Sequence, residues 1–382
     1  MTLFLATEYR LTLCRNRYYS YGKFAIILKR YYDNFGEVII CTRVNNTEDG
    51  LNEKLYDITS FIKKVIPVQL SKAFLHLEDH RMLDGMAQCD MVVGRFDSIV
   101  SCRAAYCANK IRKPFLAELM ADAWDGYWNH GIIGKIIAPY MYLATRNAVK
   151  DADFAIYVTK SFLQKRYPCK GFTTNVSNVL IKEMKEEDVQ KRIAKIETHS
   201  LDEITLMTTA AVDVMAKGHE YVVKAIPSLN KHGIKIKYLI VGGGDQTRLR
   251  TLADKLGVLN QVCFLGELSL QEVFKTIEKS DIYIQPSLQE GLPRSVIEAM
   301  SKGCPCIGAK TAGIPELLPQ ECVFKRKSSD SIARVIISVA HKDKLKMLSR
   351  NSFETAKEYQ DDVLSVRRND FYDKIKHEIL KK

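Results

Sequence analysis

The chain has 382 residues, of which 46% are hydrophobic and 27% charged, which suits a globular protein of two domains. Its formal net charge of +12 is compatible with nucleic acid, an anionic membrane surface or an acidic ligand. No apolar run reaches the length of a membrane span and no export signal opens the chain, so we expect a cytoplasmic protein. Ten cysteines without a C-x-x-C pair predict reduced core residues and no zinc site.

Short apolar runs alternate with longer helical ones in the first half of the chain. The predicted strands are Thr2–Ala6, Glu37–Val44, Asp90–Gly94, Pro114–Met120 and Phe154–Val158. The predicted helices are Tyr21–Asn34, Lys72–Gln88, Ser98–Lys110 and Gly131–Lys150. The alternation indicates an α/β fold with a parallel sheet covered on both faces. The apolar stretch Gly131–Ala144 is predicted to be a buried helix.

A charged stretch, Lys182–Ser200, separates the two halves, and its composition favours a short surface helix in the connection. We therefore predict a first domain at residues 1–180, a linker region at 181–201, a second domain at 202–360 and a final helix at 361–382. The strands of the second domain are Ile204–Thr208, Ile236–Val241, Val262–Leu265, Ile282–Gln285 and Pro305–Gly308.

The stretch Asp281–Pro319 places two glutamates around a helix start. Glu290 is predicted in a loop and Glu298 one turn inside the helix that follows Pro293. Such carboxylates could accept hydrogen bonds from neighbouring hydroxyls of one ligand whose phosphate lies between them, at the helix N-terminus, which fits a nucleotide sugar. On their own, the two acids also fit a pair of solvated surface residues.

The surrounding pattern resembles that of the retaining glycosyltransferases of family 4. The matching residues are Pro286, Ser287, Glu290, Gly291, Pro293, Glu298, Ala299, Met300, Gly303, Pro305, Gly313, Pro315 and Glu316. The resemblance implies the GT-B fold, in which two Rossmann-like domains face each other across a cleft and the C-terminal helix crosses back to the first domain. In such a fold the first domain would bind the acceptor and the second domain the nucleotide-sugar donor.

The resemblance also implies roles for residues of the donor half. Glu290 would contact the hydroxyls of the donor sugar and Glu298 the ribose. The diphosphate would face the backbone N–H groups of Gly291, Leu292, Arg294 and Ser295. Pro293 belongs to the same segment but has no N–H. Lys217 and Gly218 match the family's "KG", whose lysine neutralises the donor phosphates, and Gly242 and Gly244 would let the chain run close to the nucleotide. An ordinary strand-to-helix turn explains those two glycines equally well.

One position departs from the family pattern. The arginine expected five residues before Lys217 is replaced by Val212, and Arg294 or Lys23 could supply the second charge. Gly22, after a long loop that follows the first strand, corresponds to a family glycine near the donor phosphate, although simple helix-start geometry also accounts for it.

Guidance for the acceptor side is weaker. Arg95 is predicted to end a strand, where an interdomain salt bridge is as plausible as substrate contact. His130 lies near the place where many family members keep a histidine, and Asp122 and Asp125 in the same aromatic-rich segment could instead hold acceptor hydroxyls.

The resemblance implies transfer of a sugar from a nucleotide-sugar donor to a hydroxyl of a saccharide or lipid-linked acceptor, with retention of anomeric configuration. The resemblance implies no metal or other cofactor and points to capsule, exopolysaccharide or O-antigen assembly. The basic first domain is either a solvated face or a peripheral contact with an anionic membrane at its inner face; no nucleic-acid module is visible. A nucleotide-sugar epimerase of similar fold and a non-catalytic sugar- or lipid-binding scaffold remain open alternatives.

Overall fold

The computed structural model describes residues 1–47, 54–181 and 183–381. Lys182, which opens the predicted linker stretch, and Lys382, the last residue of the predicted final helix, lie outside them, as do residues 48–53 of the first domain. The chain forms two compact units, Met1–Val176 with Arg368–Lys382, and Ser177–Arg367. None of the described helices combines the length and hydropathy that crossing a bilayer requires.

The first unit is built on parallel strands and covering helices. Its strands are β1 (Leu3–Ala6), β2 (Leu11–Cys14), β3 (Arg17–Tyr21), β4 (Val38–Thr42), β5 (Val44–Asn46), β6 (Leu55–Asp57), β7 (Ile62–Pro67), β8 (Met91–Phe96), β9 (Phe115–Leu119), β10 (Phe154–Tyr157) and β11 (Phe172–Asn175). Its helices are α1 (Gly22–Phe35), α2 (Leu70–Phe74), α3 (Asp79–Ala87), α4 (Ile99–Lys110), α5 (Ala123–Trp128), α6 (Gly131–Lys150) and α7 (Phe162–Arg166).

The main sheet of this unit has the strand order β11-β10-β9-β8-β1-β4-β7. All its pairings are parallel, as the alternating sequence predicted. The residues of β1, β4 and β8 are buried along their whole length, because helices cover both faces of a parallel sheet and every side chain needs an apolar environment.

A second, smaller sheet replaces the long loop predicted between β1 and α1. Its order is β5-β2-β3-β6, with β2 and β3 forming an antiparallel hairpin. These strands are largely half-buried or exposed, so no continuous apolar run marks them in the sequence. The long loop was therefore a wrong expectation.

Two helix predictions in this unit need correction. The single helix Lys72–Gln88 is two helices, α2 and α3, separated by a turn in which His76 has a φ of 61°. Helix α6 has the predicted bounds, but much of its first half is exposed to solvent: Ile132 is 78% and Ile136 73% exposed. The apolar composition of α6 therefore did not predict how much of the helix is buried.

The second unit has the same layered architecture. Its strands are β12 (Glu203–Thr209), β13 (Lys235–Val241), β14 (Val262–Gly266), β15 (Ile282–Gln285), β16 (Cys306–Ala309) and β17 (Val323–Phe324). Its helices are α8 (Glu186–Thr198), α9 (His219–Lys231), α10 (Thr247–Lys255), α11 (Leu270–Lys279), α12 (Arg294–Ser301), α13 (Ile314–Leu317), α14 (Ser329–Val339) and α15 (Lys342–Lys357). The parallel sheet has the order β14-β13-β12-β15-β16-β17.

Helix α8 contains most of the charged stretch and packs against other elements of the second unit. Val189 and Ile193 pack with Phe353 in a small apolar cluster. The buried guanidinium of Arg192 donates to the carbonyls of Ile277, at 2.8 Å, and Ser280. The charges that suggested a linker therefore belong to one face of an amphipathic helix of the second unit.

The last helix, α16 (Asp361–Leu380), begins in the second unit, and its residues from Arg368 belong to the first. Tyr372 is 1% exposed. Its ring centroid lies 4.9 Å from that of Phe35 and 6.4 Å from that of Tyr31. Phe371 meets Phe154 edge-on at 6.3 Å. The C-terminal helix thus returns to the first unit and completes its aromatic core.

We expect Tyr372→Ala to lower the free energy of unfolding of the first unit by about 3 kcal/mol, because it leaves a cavity among Tyr31 and Phe35. Val366→Ala, on the exposed side of the same helix, is the control and should change it by less than about 0.5 kcal/mol. Denaturant titration followed by circular dichroism measures both. Equal effects of the two substitutions would contradict the packing described for α16.

Candidate active site

The site in the second unit begins where β15 ends, at a glutamine side chain. The amide nitrogen of Gln285 donates to the hydroxyl of Ser287 at 2.8 Å and to Oε1 of Glu290 at 3.1 Å. Its amide oxygen accepts from the hydroxyls of Tyr283 at 3.2 Å and Ser295 at 3.3 Å. Gln285 therefore fixes the Glu290 loop to both the strand before it and the helix after it.

Glu290 and Glu298 occupy the two kinds of position that the sequence predicted for them. Glu290 lies in the loop between β15 and α12, and Glu298 lies half-buried within α12. Gly303, two residues after this helix, has a φ of 60°, the left-handed conformation that ends it before β16. The sequence signals for strand, loop, helix and stop were all local, which is why they were readable.

The loop carboxylate meets a lysine from a distant part of the chain. Nζ of Lys217 lies 2.8 Å from Oε1 of Glu290, although 73 positions separate the two residues. The lysine side chain is 31% exposed and the glutamate side chain 14% exposed. The ion pair is partly withdrawn from water but remains open to an incoming anion.

Close backbone packing at Gly218 makes this contact possible. Gly218 has a φ of 73°, and a Cβ there would lie 2.1 Å from the carbonyl oxygen of Pro286. The backbone N–H of Leu288 donates to the carbonyl of Ala216 at 2.7 Å. Only glycine tolerates both the left-handed conformation and the approach, so the turn after Lys217 is joined directly to the Glu290 loop.

The first turn of α12 is a candidate anion site. Its N-cap residue is Pro293, which offers no side-chain acceptor to the N–H groups of the turn. Those N–H groups have no intrahelical acceptor, and the helix dipole adds positive potential at the same place. Gly291, Leu292 and Pro293 are buried, whereas Arg294 is exposed. The guanidinium of Arg294 is therefore accessible to solvent and to ligands.

The glycines after β13 pack against the loop after β12. A Cβ on Gly242 would lie 2.1 Å from the carbonyl oxygen of Ala210. The N–H of Val212 donates to the carbonyl of Gly243 at 2.9 Å. Gly244 follows and approaches Asp213. These contacts lie at the carboxyl edge of the parallel sheet, where ligands of such sheets bind, and border a pocket of about 420 Å³.

Val212, which stands where the family has arginine, is a core residue with 1% exposure. Sequence reasoning did not single out two residues that hold this region. One is Gln285, which a polar residue closing an apolar strand could have signalled. The other is Arg326, whose guanidinium donates to the carbonyl of Leu288 at 3.1 Å. Since Arg326 is 38 positions away, no local pattern pointed to it.

Gly22 begins α1 of the first unit, directly after the unpredicted hairpin. A Cβ at this position would lie 2.8 Å from the ring of Tyr56 on the small sheet. Glycine thus lets the start of α1 pack closely against the exposed ring of Tyr56. Lys23 follows it in the first turn of the helix.

The predicted acceptor-side residues lie on three elements of the first unit, β8, α5 and the start of α6. Arg95 lies inside β8, 3% exposed, and pairs with Glu118 of the same unit, so the prediction that it ends the strand is wrong. Asp125 is a buried residue of α5. His130 is exposed at the start of α6, where its Nδ1 meets the carbonyl of Gly126.

Acids do gather at the carboxyl edge of the first unit's sheet, where sequence reasoning noted only Asp122. Glu8 follows β1, Asp97 follows β8 and Asp122 follows β9, and these strands are neighbours. Oε1 of Glu8 accepts from the N–H of Ile99 at 2.8 Å, at the start of α4. Burial raises the pKa of Asp97 to about 7, and the nearby Glu8 and Asp122 add to the rise. The sequence did contain a signal for this cluster, because each acid follows an apolar strand within a few residues.

The raised pKa of Asp97 predicts a pH dependence of stability. A carboxyl group whose folded-state pKa lies above its unfolded value stabilises the protein while protonated. That contribution is lost as the pH rises from about 4 through about 7. We expect Asp97→Asn to stabilise the first unit at pH 8 by up to about 4 kcal/mol, and by much less at pH 4. Thermal unfolding at both pH values tests this, with the exposed Asp33→Asn as control. A pH profile equal to that of the control would refute it.

Three comparisons place the chain among known proteins. The family described as "Glycosyl transferases group 1" matches residues 174–355. Protein CapJ of Staphylococcus aureus is 31% identical over 348 residues, covering 88% of this chain and 85% of CapJ. The amylovoran biosynthesis glycosyltransferase AmsK of Erwinia amylovora is 30% identical over 109 residues, 27% of each chain.

A solved structure of similar fold is HepE of Anabaena in complex with UDP-glucose. It has a TM-score of 0.64 and 16% identity, and the match covers 99% of each chain. At that identity the likeness concerns the fold alone, which is the GT-B fold expected from the sequence. The match to the family and the extended similarity to CapJ lead to a conclusion about membership. The chain belongs to the family of group 1 glycosyl transferases.

Proposed function

We propose that this glycosyltransferase binds a nucleotide sugar in its second unit and transfers the sugar to a hydroxyl with retention of anomeric configuration. The observation that carries the proposal is the contact between Lys217 and Glu290 beside the uncapped start of α12. A lysine and a helix N-terminus suit the diphosphate of a nucleotide sugar, and a carboxylate suits the hydroxyls of its sugar, which supports the proposal.

In this proposal the groups divide the donor between them. Glu290 accepts hydrogen bonds from hydroxyls of the donor sugar, and Glu298, inside α12, accepts them from the ribose. Lys217 exchanges its contact with Glu290 for the diphosphate, where its charge stabilises the leaving group together with the first turn of α12. Arg294, which is exposed on that turn, provides the second charge in place of an arginine at position 212.

The proposed reaction breaks the bond between the anomeric carbon and the phosphate oxygen, and forms a bond from that carbon to the acceptor oxygen on the same face. The acceptor's proton passes to the departing diphosphate, so no protein nucleophile is needed. The charge balance is met by Lys217 and the helix, so we propose no resident metal. NMR of the product decides the stereochemistry, because an inverted anomeric centre would rule out retention.

We further propose a cytoplasmic role in assembling a surface polysaccharide on a saccharide or lipid-linked acceptor. The proposal is supported by the similarity to AmsK, whose name places it in amylovoran biosynthesis. The fold shared with HepE, a structure holding UDP-glucose, makes a UDP-hexose the first donor to test. A thermal-shift series with UDP, GDP and dTDP identifies the base, since the bound nucleotide raises the melting temperature.

Substitution of the two glutamates should affect different steps of the reaction. We expect Glu298→Ala to weaken nucleotide binding about tenfold, because a hydrogen-bonded carboxylate on the ribose contributes about 1.5 kcal/mol. Glu290→Ala should leave nucleotide binding within about threefold and reduce transfer at least about a hundredfold. Calorimetric titration and a transfer assay separate the two effects. The exposed Glu321→Ala is the control, and unaltered transfer in both test variants would end the assignment.

Removing the lysine tests charge neutralisation of the leaving group. Lys217→Ala should reduce kcat by about a hundredfold or more, and its effect should exceed the loss of affinity for the donor. Lys231→Ala, at the exposed far end of α9, is the matched control.

Donor conversion without acceptor would instead identify an epimerase. Donor binding without turnover under any condition would favour a scaffold.

A further inference from the structure

Helix α6 in the first unit is apolar on two opposite faces. Its buried face consists of Gly134, Ala138, Met141, Thr145 and Val149. Its second apolar face is open to solvent: Ile132 is 78%, Ile133 72%, Ile136 73%, Tyr140 45% and Leu143 56% exposed. At about 100° per residue, the two faces are centred about 170° apart. One face is therefore in the core, while the other lies in water.

The exposed residues form a continuous stripe. Ile132, Ile136, Tyr140 and Leu143 fall within an arc of about 80°, with Ile133 at its edge. From Ile132 to Leu143 the stripe is about 16 Å long. Scattered exposed apolar residues are ordinary, but large aliphatic side chains aligned on one helix face indicate a surface that something else covers.

The charges of the helix show what kind of surface fits. Residues 131–150 contain Lys135, Arg146 and Lys150 and no aspartate or glutamate. Nζ of Lys135 lies 5.9 Å from the ring centroid of Trp128, which is 37% exposed beside the stripe. An aliphatic stripe edged by cations and an amphipathic tryptophan matches the boundary between acyl chains and anionic headgroups. A second copy packed face to face would instead bring two sets of cations together.

We propose that the exposed face of α6 docks the protein on an anionic membrane, with Ile132 and Ile136 inserted among the acyl chains. Lys135 and Lys150 then lie at the level of the lipid phosphates. Docking of the first unit on lipid extends the proposed function, because it suits a lipid-linked acceptor, and lipid is then the occupant of this face.

Vesicle flotation of the full chain tests the proposal. The probes are vesicles of phosphatidylcholine alone and of phosphatidylcholine mixed with phosphatidylglycerol. We expect the wild type to bind the mixed vesicles, and Ile132→Gln with Ile136→Gln to bind at least about tenfold more weakly. Lys135→Gln with Lys150→Gln should reduce the preference for anionic lipid by a few fold.

A matched control removes two other exposed apolar side chains. Leu270 and Val366 are 59% and 61% exposed, and Leu270→Gln with Val366→Gln should bind vesicles within about twofold of the wild type. Wild-type failure to bind the mixed vesicles, or equal binding by the Ile132 and Ile136 variant, overturns the proposal. A wild-type dimer that this variant converts to monomer, without vesicle binding, assigns the face to self-association and equally overturns it.

The outcome is separable from that for the proposed function. UDP binding, followed by thermal shift, should be the same in the wild type and in the Ile132 and Ile136 variant, because α6 lies in the other unit from Lys217 and Glu290. Unchanged melting temperatures exclude misfolding as the cause of lost vesicle binding. The protein could bind vesicles through the stripe and yet bind no nucleotide. That result would support membrane docking and contradict the proposed function.

Discussion

The candidate donor site depends on one close contact, the packing of the Gly218 turn against Pro286. Without it, Lys217 could not reach Glu290, since the two belong to loops far apart in the chain. The contact exists because β12 and β15 are neighbours in a parallel sheet, so the loops that follow them leave the same edge side by side. The missing Cβ then lets the two backbones touch.

The ion pair formed there has more meaning for function than for stability. A pair that is partly open to water contributes little free energy, because solvent screens the attraction and both side chains lose freedom. It does hold a lysine and a carboxylate ready at the place where the proposed diphosphate and sugar would lie. Gln285 keeps the carboxylate in position from inside the protein, so its orientation is set before any ligand arrives.

The first unit contains two features that lower its stability in solution. Its sheet edge carries Glu8, Asp97 and Asp122, whose mutual proximity and burial work against ionisation of Asp97. Its helix α6 leaves an apolar stripe in water, which opposes stability in solution. Features that cost free energy in the isolated protein are those most readily explained by a partner, and both of these features lie in the first unit.

By itself the sequence determined the elements whose signals are local. Pro293 and Gly303 marked the bounds of α12, the buried apolar runs marked the parallel strands, and the spacing of Glu290 and Glu298 assigned one to a loop and one to a helix. The small sheet beside β1 escaped prediction because its strands are half-exposed and carry no apolar run. Arg95 was misplaced because a strand boundary shifts by a residue or two without changing the pattern.

Only the tertiary structure decided which distant side chains meet and which faces are covered. The contacts of Gln285 and Arg326 join residues through the fold, so no spacing along the chain encodes them. Helix α6 shows the same limit from the other side. Its sequence is rich in apolar residues, but burial depends on what packs against each face, and long-range packing covered one face and left Ile132 and Ile136 in water.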